Sequence, residues 1–283
     1  MDMSVFNLWI LVAINIVFFF VGTVLNVLVI IVFWRSTYLR KKLCYFMIMV
    51  LSCCDLLTVL LNNPVLVIIA VLFIKNKDNI FSQSERITLA IVSITFTSSF
   101  LALLVMNIDR YLSVSKPLYH KTNVSKRKLL LLFIALQSIN VIIAVLHAEE
   151  LAYPREINAF IFMVLFLAPM LFINYKLLRL SRKYRKSNVK NREKKATSTL
   201  KQISICLMAF ASITVFSIPV LVFNVYNMFV TEIKSTNVVE LWLRTILTMN
   251  STFNCLIFFW KNKILRTEAF KIVKTILGVP LNA

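Results

Sequence analysis

Glycine is almost missing from this chain: Gly22 and Gly278 are the only two in 283 residues. A glycine-rich loop that could cradle a phosphate is therefore excluded, and with it the commonest nucleotide-binding chemistry. Histidine is equally scarce. His120 and His147 have no partner nearby in sequence, and no Cys–His spacing resembles a zinc site. The cysteines Cys44, Cys53, Cys54, Cys206 and Cys255 all fall within apolar runs or at their inner ends, which leaves none for an extracellular disulfide and makes them small packing residues. Internal repeats and low-complexity segments are missing too, so residues 1–283 read as one domain. Nothing here supports enzyme chemistry, and no cofactor is expected.

Acidic residues are few, 12 against 32 lysines and arginines. Charge of either sign is absent from long stretches. What fills them is apolar: 59% of the residues are hydrophobic, 16% are charged, and the mean hydropathy is +0.82. One soluble core could not hide that much apolar surface. Uncharged runs cover Met3 to Trp34, Ile87 to Ile108, Leu129 to Leu146, Ile157 to Tyr175 and Gln202 to Thr231. A helix needs about 20 such residues to cross a bilayer. Two further runs carry isolated ionisable groups, Leu43 to Ile74 around Asp55, and Val238 to Trp260 with Glu240 and Arg244 near its start. The expectation is an all-α, seven-transmembrane helix bundle with spans near 6–34, 43–74, 87–114, 129–147, 157–178, 202–231 and 238–260. The first run has no basic leader and runs far past a short signal core, so it reads as a span rather than a cleaved signal.

The charge that is present lies at the ends of these runs. Arg35, Arg40, Lys41 and Lys42 follow the first span; Lys116, Lys121, Lys126, Arg127 and Lys128 follow the third; eleven basic residues lie between Lys176 and Lys201, with Glu193 the single acid. The opposite loops are sparse. Positive charge marks the cytoplasmic side, so the N-terminus is expected outside and the C-terminus inside a multi-pass plasma-membrane protein. A net charge of +20 placed beside the membrane favours anionic lipid over nucleic acid as a partner. The sequons at Asn123 and Asn250 would be out of reach of glycosylation. After the last span, residues 261–277 put Leu265, Ala269, Ile272 and Ile276 on one face and Lys263, Lys271 and Lys274 elsewhere. That pattern predicts a short amphipathic helix lying on the inner leaflet.

Asp55 is the sharpest polar feature, because a carboxyl at mid-bilayer costs roughly 2.5 to 3.5 kcal/mol by insertion scales. Asn26 in the first span and Asn250, Ser251 and Asn254 in the seventh sit at comparable depth. Such a cluster would hold a sodium ion or bridging waters, or would only pack helices together. Pro219 sits mid-way along the sixth span, where it removes a backbone bond and kinks the helix.

The run IDRYLSVSKPLYH, from Ile108 to His120, closes the third span on an acid and a base side by side. With Asn26, Asp55, Pro219 and Asn254 in their respective spans, it resembles the rhodopsin-like (class A) G protein-coupled receptors over all seven spans. The family ends its third helix on Asp-Arg-Tyr, here Asp109, Arg110 and Tyr111, and follows it with Pro-Leu-x-Tyr in the second cytoplasmic loop, here Pro117 to His120 with Tyr119 one place early. The resemblance implies a receptor that binds an extracellular ligand within the bundle and activates a heterotrimeric G protein. Arg110, held by Asp109 at rest, would be freed when the sixth helix pivots at Pro219. The family also restrains this arginine with an acid at the inner end of the sixth helix, about twenty residues before its proline. Thr199 stands there, among Lys194, Lys195 and Lys201, so the restraint is expected to be weak.

Several positions depart from the family pattern. Ser217 replaces an aromatic residue two before Pro219, and Cys255 and Phe258 replace the proline and tyrosine of Asn-Pro-x-x-Tyr. The cysteine pair tying the third helix to the second extracellular loop is missing and that loop is clipped, which is similar to the melanocortin branch and its relatives. An opsin is rejected, since the seventh span has no lysine for a Schiff base. The alternative from another class, a transporter or channel, would show repeated halves or a charged path, and Asp55 is alone at that depth. A ligand pocket is expected among Asn62, Asn63, Val92, Thr95, Phe216, Phe223, Asn224, Asn227 and Trp242. Such a neutral lining suits a small-molecule, lipid-like or short peptide ligand, and core packing explains most of these residues equally well.

Overall fold

A computed structural model of the chain describes residues 3–75, 78–148, 167–187, 194–229 and 237–276. All regular structure among them is helical: α1 (Met3–Arg35), α2 (Thr37–Lys41), α3 (Leu43–Ile74), α4 (Asp78–Ser115), α5 (Pro117–Asn123), α6 (Lys126–Ala148), α7 (Ala168–Ser187), α8 (Lys194–Phe229), α9 (Asn237–Lys261) and α10 (Lys263–Ile276). Backbone amides surrounded by hydrocarbon find partners only within their own helix, so runs this apolar have no other spanning form. By length and composition five helical stretches can cross a membrane: Val5–Arg35, Leu43–Ile74, Ile91–Ser115, Lys126–Val145 and Leu200–Tyr226. α9 is more polar, with Glu240, Arg244 and a run of Thr, Asn and Ser along its length.

α4 is the hub. In its most apolar stretch 67% is buried, against 17% for α6, which lies at the rim with Leu131, Ile134, Ile139 and Ile142 facing outward. Around α4 stand α3, α6, α7, α8 and α9, and α1 closes the bundle against α3 and α9. The largest apolar cluster joins Val29 and Phe33 of α1, Met47 and Leu51 of α3, Phe100 to Met106 of α4, and Cys255 and Phe258 of α9.

Apolar boundaries understate helix lengths on one side of the bundle. α7 continues to Ser187 rather than stopping near 178, and α8 starts at Lys194 rather than at 202. Hydropathy marks where lipid ends, whereas Arg- and Lys-rich turns stay helical in water. The expected fifth span falls partly outside the described residues.

Two helix ends are fixed by single side chains. Ser125 Oγ accepts from Lys128 N–H at 3.3 Å at the start of α6. Asn262, in the break between α9 and α10, accepts from Leu265 N–H at 3.2 Å as an N-cap and from Tyr45 Oη of α3 at 3.2 Å. α10 differs from the expected leaflet-bound helix in one respect. Its Leu265, Ala269 and Ile272 are buried in the main cluster against the bundle, while Ile264 and Phe270 are the apolar side chains left exposed.

Candidate functional site

The C-terminal end of α4 carries the densest ionic arrangement among the described residues. Asp109 is wholly buried and Arg110 nearly so, so each charge needs a partner. Arg110 Nε donates to Asp109 Oδ2 at 2.9 Å, and Nη2 donates to the same oxygen. The remaining arm of the guanidinium, Nη1, donates to Gln202 Oε1 on α8. Asp109 Oδ1 pairs with His120 Nε2 at 2.7 Å. Pro117 makes this last contact geometrically accessible: at the first position of α5 its fixed φ starts a new helix after Lys116, and His120 follows one turn later. One acid thus ties α4 to α5, and one base ties α4 to α8. Tyr111 faces away, packing partly buried beside Val114, Leu177 and Ile203.

Deeper along α3, Asp55 Oδ2 accepts from Asn254 Nδ2 of α9 at 3.0 Å, and the buried hydroxyls of Ser99 on α4 and Ser251 on α9 lie close to the carboxylate. Its Oδ1 has no protein partner, nor have Asn254 Oδ1 and Asn250 Nδ2. The two unsatisfied oxygens, on Asp55 and Asn254, fit a small cation or water, whereas the Asn250 amide nitrogen is a donor and calls for an acceptor such as water. Asn26 does not reach the carboxylate directly. It donates to Gly22 O at 2.9 Å and accepts from Cys255 Sγ at 2.8 Å. Asn250 accepts instead from Ser212 of α8 at 3.2 Å. The reading of Cys255 as only a packing residue is corrected here, because its thiol is a donor linking α9 to α1.

This order of features, a buried acid on α3, an acid–base pair closing α4, a proline inside α8 and a polar run on α9, is matched by a family profile. The profile for the 7 transmembrane receptor (rhodopsin family) covers residues 25–258. The chain belongs to that family. It is a multi-pass membrane protein of receptor type, with the all-α seven-transmembrane bundle of that family and an added C-terminal helix. The family's partners are, in general terms, an extracellular ligand and a G protein. The match does not choose a branch within the family, and comparison with curated proteins finds no match.

In this receptor the pocket candidates fall into two groups. Thr95 Oγ1 donates to Asn62 Oδ1 at 3.1 Å, Asn63 Nδ2 donates to the backbone oxygen of Asn15 at 3.2 Å, and Val92 is buried a turn away on α4. Trp242 packs on the apolar cluster of Leu8, Leu11, Leu66 and Leu241 beside them. Phe216 belongs to the other side, with its ring 5.0 Å from that of Phe253, and Phe223 and Asn224 follow it two turns on, partly buried along α8. The side chains of Asn227 and Thr199 lie outside the described residues.

Four contact residues were not singled out from sequence: Gln202, His120 as a partner of Asp109, Ser99 and Asn15. Gln202 lies one turn beyond Thr199 on the same helix, and the spacing of three would have found it. Asn15 Nδ2 donates to Thr245 Oγ1 at 2.9 Å, a contact between α1 and α9 that no local pattern announces.

Proposed function

We propose that this receptor binds its ligand between the helices on the extracellular side and activates a heterotrimeric G protein through the opposite face, with Arg110 as the released contact. The observation that carries this reading is the double hold on Arg110, by Asp109 of its own helix and by Gln202 of α8. A rotation of α8 at Pro219 removes one hold and exposes the guanidinium between α4, α7 and α8. Orientation follows from the basic loops, which put the Arg110 end in the cytoplasm. Asp55, Asn254, Ser251 and Ser99 form the candidate sodium site, with Asn26 and Asn250 in the shell around it. The ligand meets Asn62, Asn63, Val92, Thr95 and Trp242 on one side and Phe216, Phe223, Asn224 and Asn227 on the other. That mostly neutral lining favours a small, lipid-like or short peptide ligand. Exposed Lys263, Arg266, Lys271 and Lys274 on α10, with Phe270 beside them, suit an anionic inner leaflet.

The test is nucleotide exchange on purified G protein by receptor in lipid nanodiscs, without ligand. Arg110→Ala is expected to reach the cell surface at parental levels and to lose at least about tenfold of the exchange rate, equivalent to about 1.4 kcal/mol of coupling. Full retained exchange would overturn the role given to Arg110.

A further inference from the structure

The geometry points to His120 as a proton-sensing positioning residue of the Arg110 switch: its imidazole shares Asp109 with Arg110, and its protonation compensates the carboxylate when the arginine leaves. This rests on the proposed coupling role of Arg110. The argument begins with Asp109, which is wholly buried and divides its two oxygens between two bases, Oδ2 to Arg110 and Oδ1 to His120 Nε2 at 2.7 Å. At rest the arginine supplies the compensating charge and a neutral imidazole suffices as a hydrogen-bond donor. In the released state Arg110 is gone, and Asp109 would be a buried, uncompensated anion, which is strongly unfavourable. A protonated His120 removes that penalty, because the salt bridge is then already formed at the other oxygen.

The sign follows from linkage. The state without Arg110 beside Asp109 binds a proton on His120 more tightly than the resting state does, so acid on that face shifts the population toward release. A histidine ordinarily titrates near 6.5, within reach of cytoplasmic pH. His120 is partly exposed, its side chain 18% accessible, so protons reach it without unfolding α5. The other charged and titratable groups around the pair are Cys44 of α3 with Lys42 before it, Cys206 of α8, and on α5 and its cap Lys116, Tyr119 and Lys121. Cysteine, tyrosine and lysine side chains ordinarily titrate above pH 8, so none of these neighbours changes charge between pH 6 and 8.

Two measurements on the full-length receptor in nanodiscs decide it. In the first, ligand-free nucleotide exchange is followed from pH 8 to pH 6, with His120→Tyr as reference because a phenol donates to the same oxygen without titrating in that range. The parent is expected to gain about three- to sixfold in exchange relative to His120→Tyr; a ratio of one to the other that does not change with pH overturns the sensor. The second measurement needs no G protein. The chain has two histidines, so in a His147→Gln background an isotope-labelled His120 gives a single imidazole resonance. Its titration midpoint is expected to rise by about one pH unit in Arg110→Ala, a tenfold change in proton affinity. An unchanged midpoint overturns the shared-carboxylate argument directly. A midpoint that moves while exchange stays flat with pH supports the shared carboxylate and overturns Arg110 as the coupling switch.

Discussion

Gly22 shows what a single missing methyl does in this bundle. A Cβ placed there would lie 2.6 Å from Thr252 Oγ1 and 2.9 Å from Val59 Cγ2, both on β-branched side chains with little freedom to turn aside. Glycine here lets α1 approach α3 and α9 closely. Gly22→Ala is expected to cost about 1 to 3 kcal/mol by overpacking, read as a lower melting temperature of the purified receptor. Because Thr252 Oγ1 has no hydrogen-bond partner among the described residues, Thr252→Ala should restore part of that loss in the double variant, the contact with Val59 remaining. If the double variant is no more stable than Gly22→Ala, the close approach is not what the glycine serves. Gln202 is the second residue whose chemistry carries a prediction. Its amide oxygen meets a guanidinium, and a carboxylate there would turn that bond into a salt bridge. Gln202→Glu should lower ligand-free exchange about fivefold, for a gain of about 1 kcal/mol, and more than Thr199→Glu does. The reverse order would return the restraint to Thr199.

Among the elements, α10 depends most on one side chain. Asn262 caps it through Leu265 N–H and also accepts from Tyr45, so the helix is docked where it begins. Its Leu265, Ala269 and Ile272 then complete the core near Val29 and Phe33 of α1. Asn262→Ala removes both bonds and should cost about 1 kcal/mol or more, while Tyr45→Phe removes one and should cost less. Thermal unfolding of the two variants, with limited proteolysis after Lys261, separates the contributions. Equal losses would mean that the cap does not matter. α9 is the other element held in an unusual way. Where its family carries a proline, Cys255 donates to Asn26, so α9 is tied to α1 by a hydrogen bond at that position.

Across the bundle, Asp55 is where α3, α4 and α9 meet, with Ser212 and Asn250 extending the polar contacts to α8. An ion bound there would be felt by all four helices at once. Sodium is expected to raise the melting temperature of the parent receptor and to lower its ligand-free exchange, since a ligand that prefers one state stabilises it by mass action. Asp55→Asn should abolish both responses, having lost the charge a sodium ion requires. A parent receptor indifferent to sodium, compared with potassium at equal ionic strength, would reduce Asp55 to a packing residue.

Membrane character, the positions of the apolar runs, the acid–base pair at the end of the third and the family resemblance were all legible in the chain, because each is a local matter of composition or of residues adjacent in sequence. A stretch of uncharged residues such as Met3 to Trp34 has one solvent in which it is stable, and Asp109 and Arg110 are neighbours however the chain folds. Partnerships between distant residues were not legible. Nothing in the sequence says that Gln202 turns toward Arg110, since that depends on the rotation of α8 about its axis. The same holds for Asn26, which shares a depth with Asp55 yet bonds Cys255, and for the pocket candidates, which divide between two faces. His120 is the clearest case: one turn of helix started by Pro117 brings it to Asp109, and that encounter turns a spacing of eleven residues into a bond of 2.7 Å.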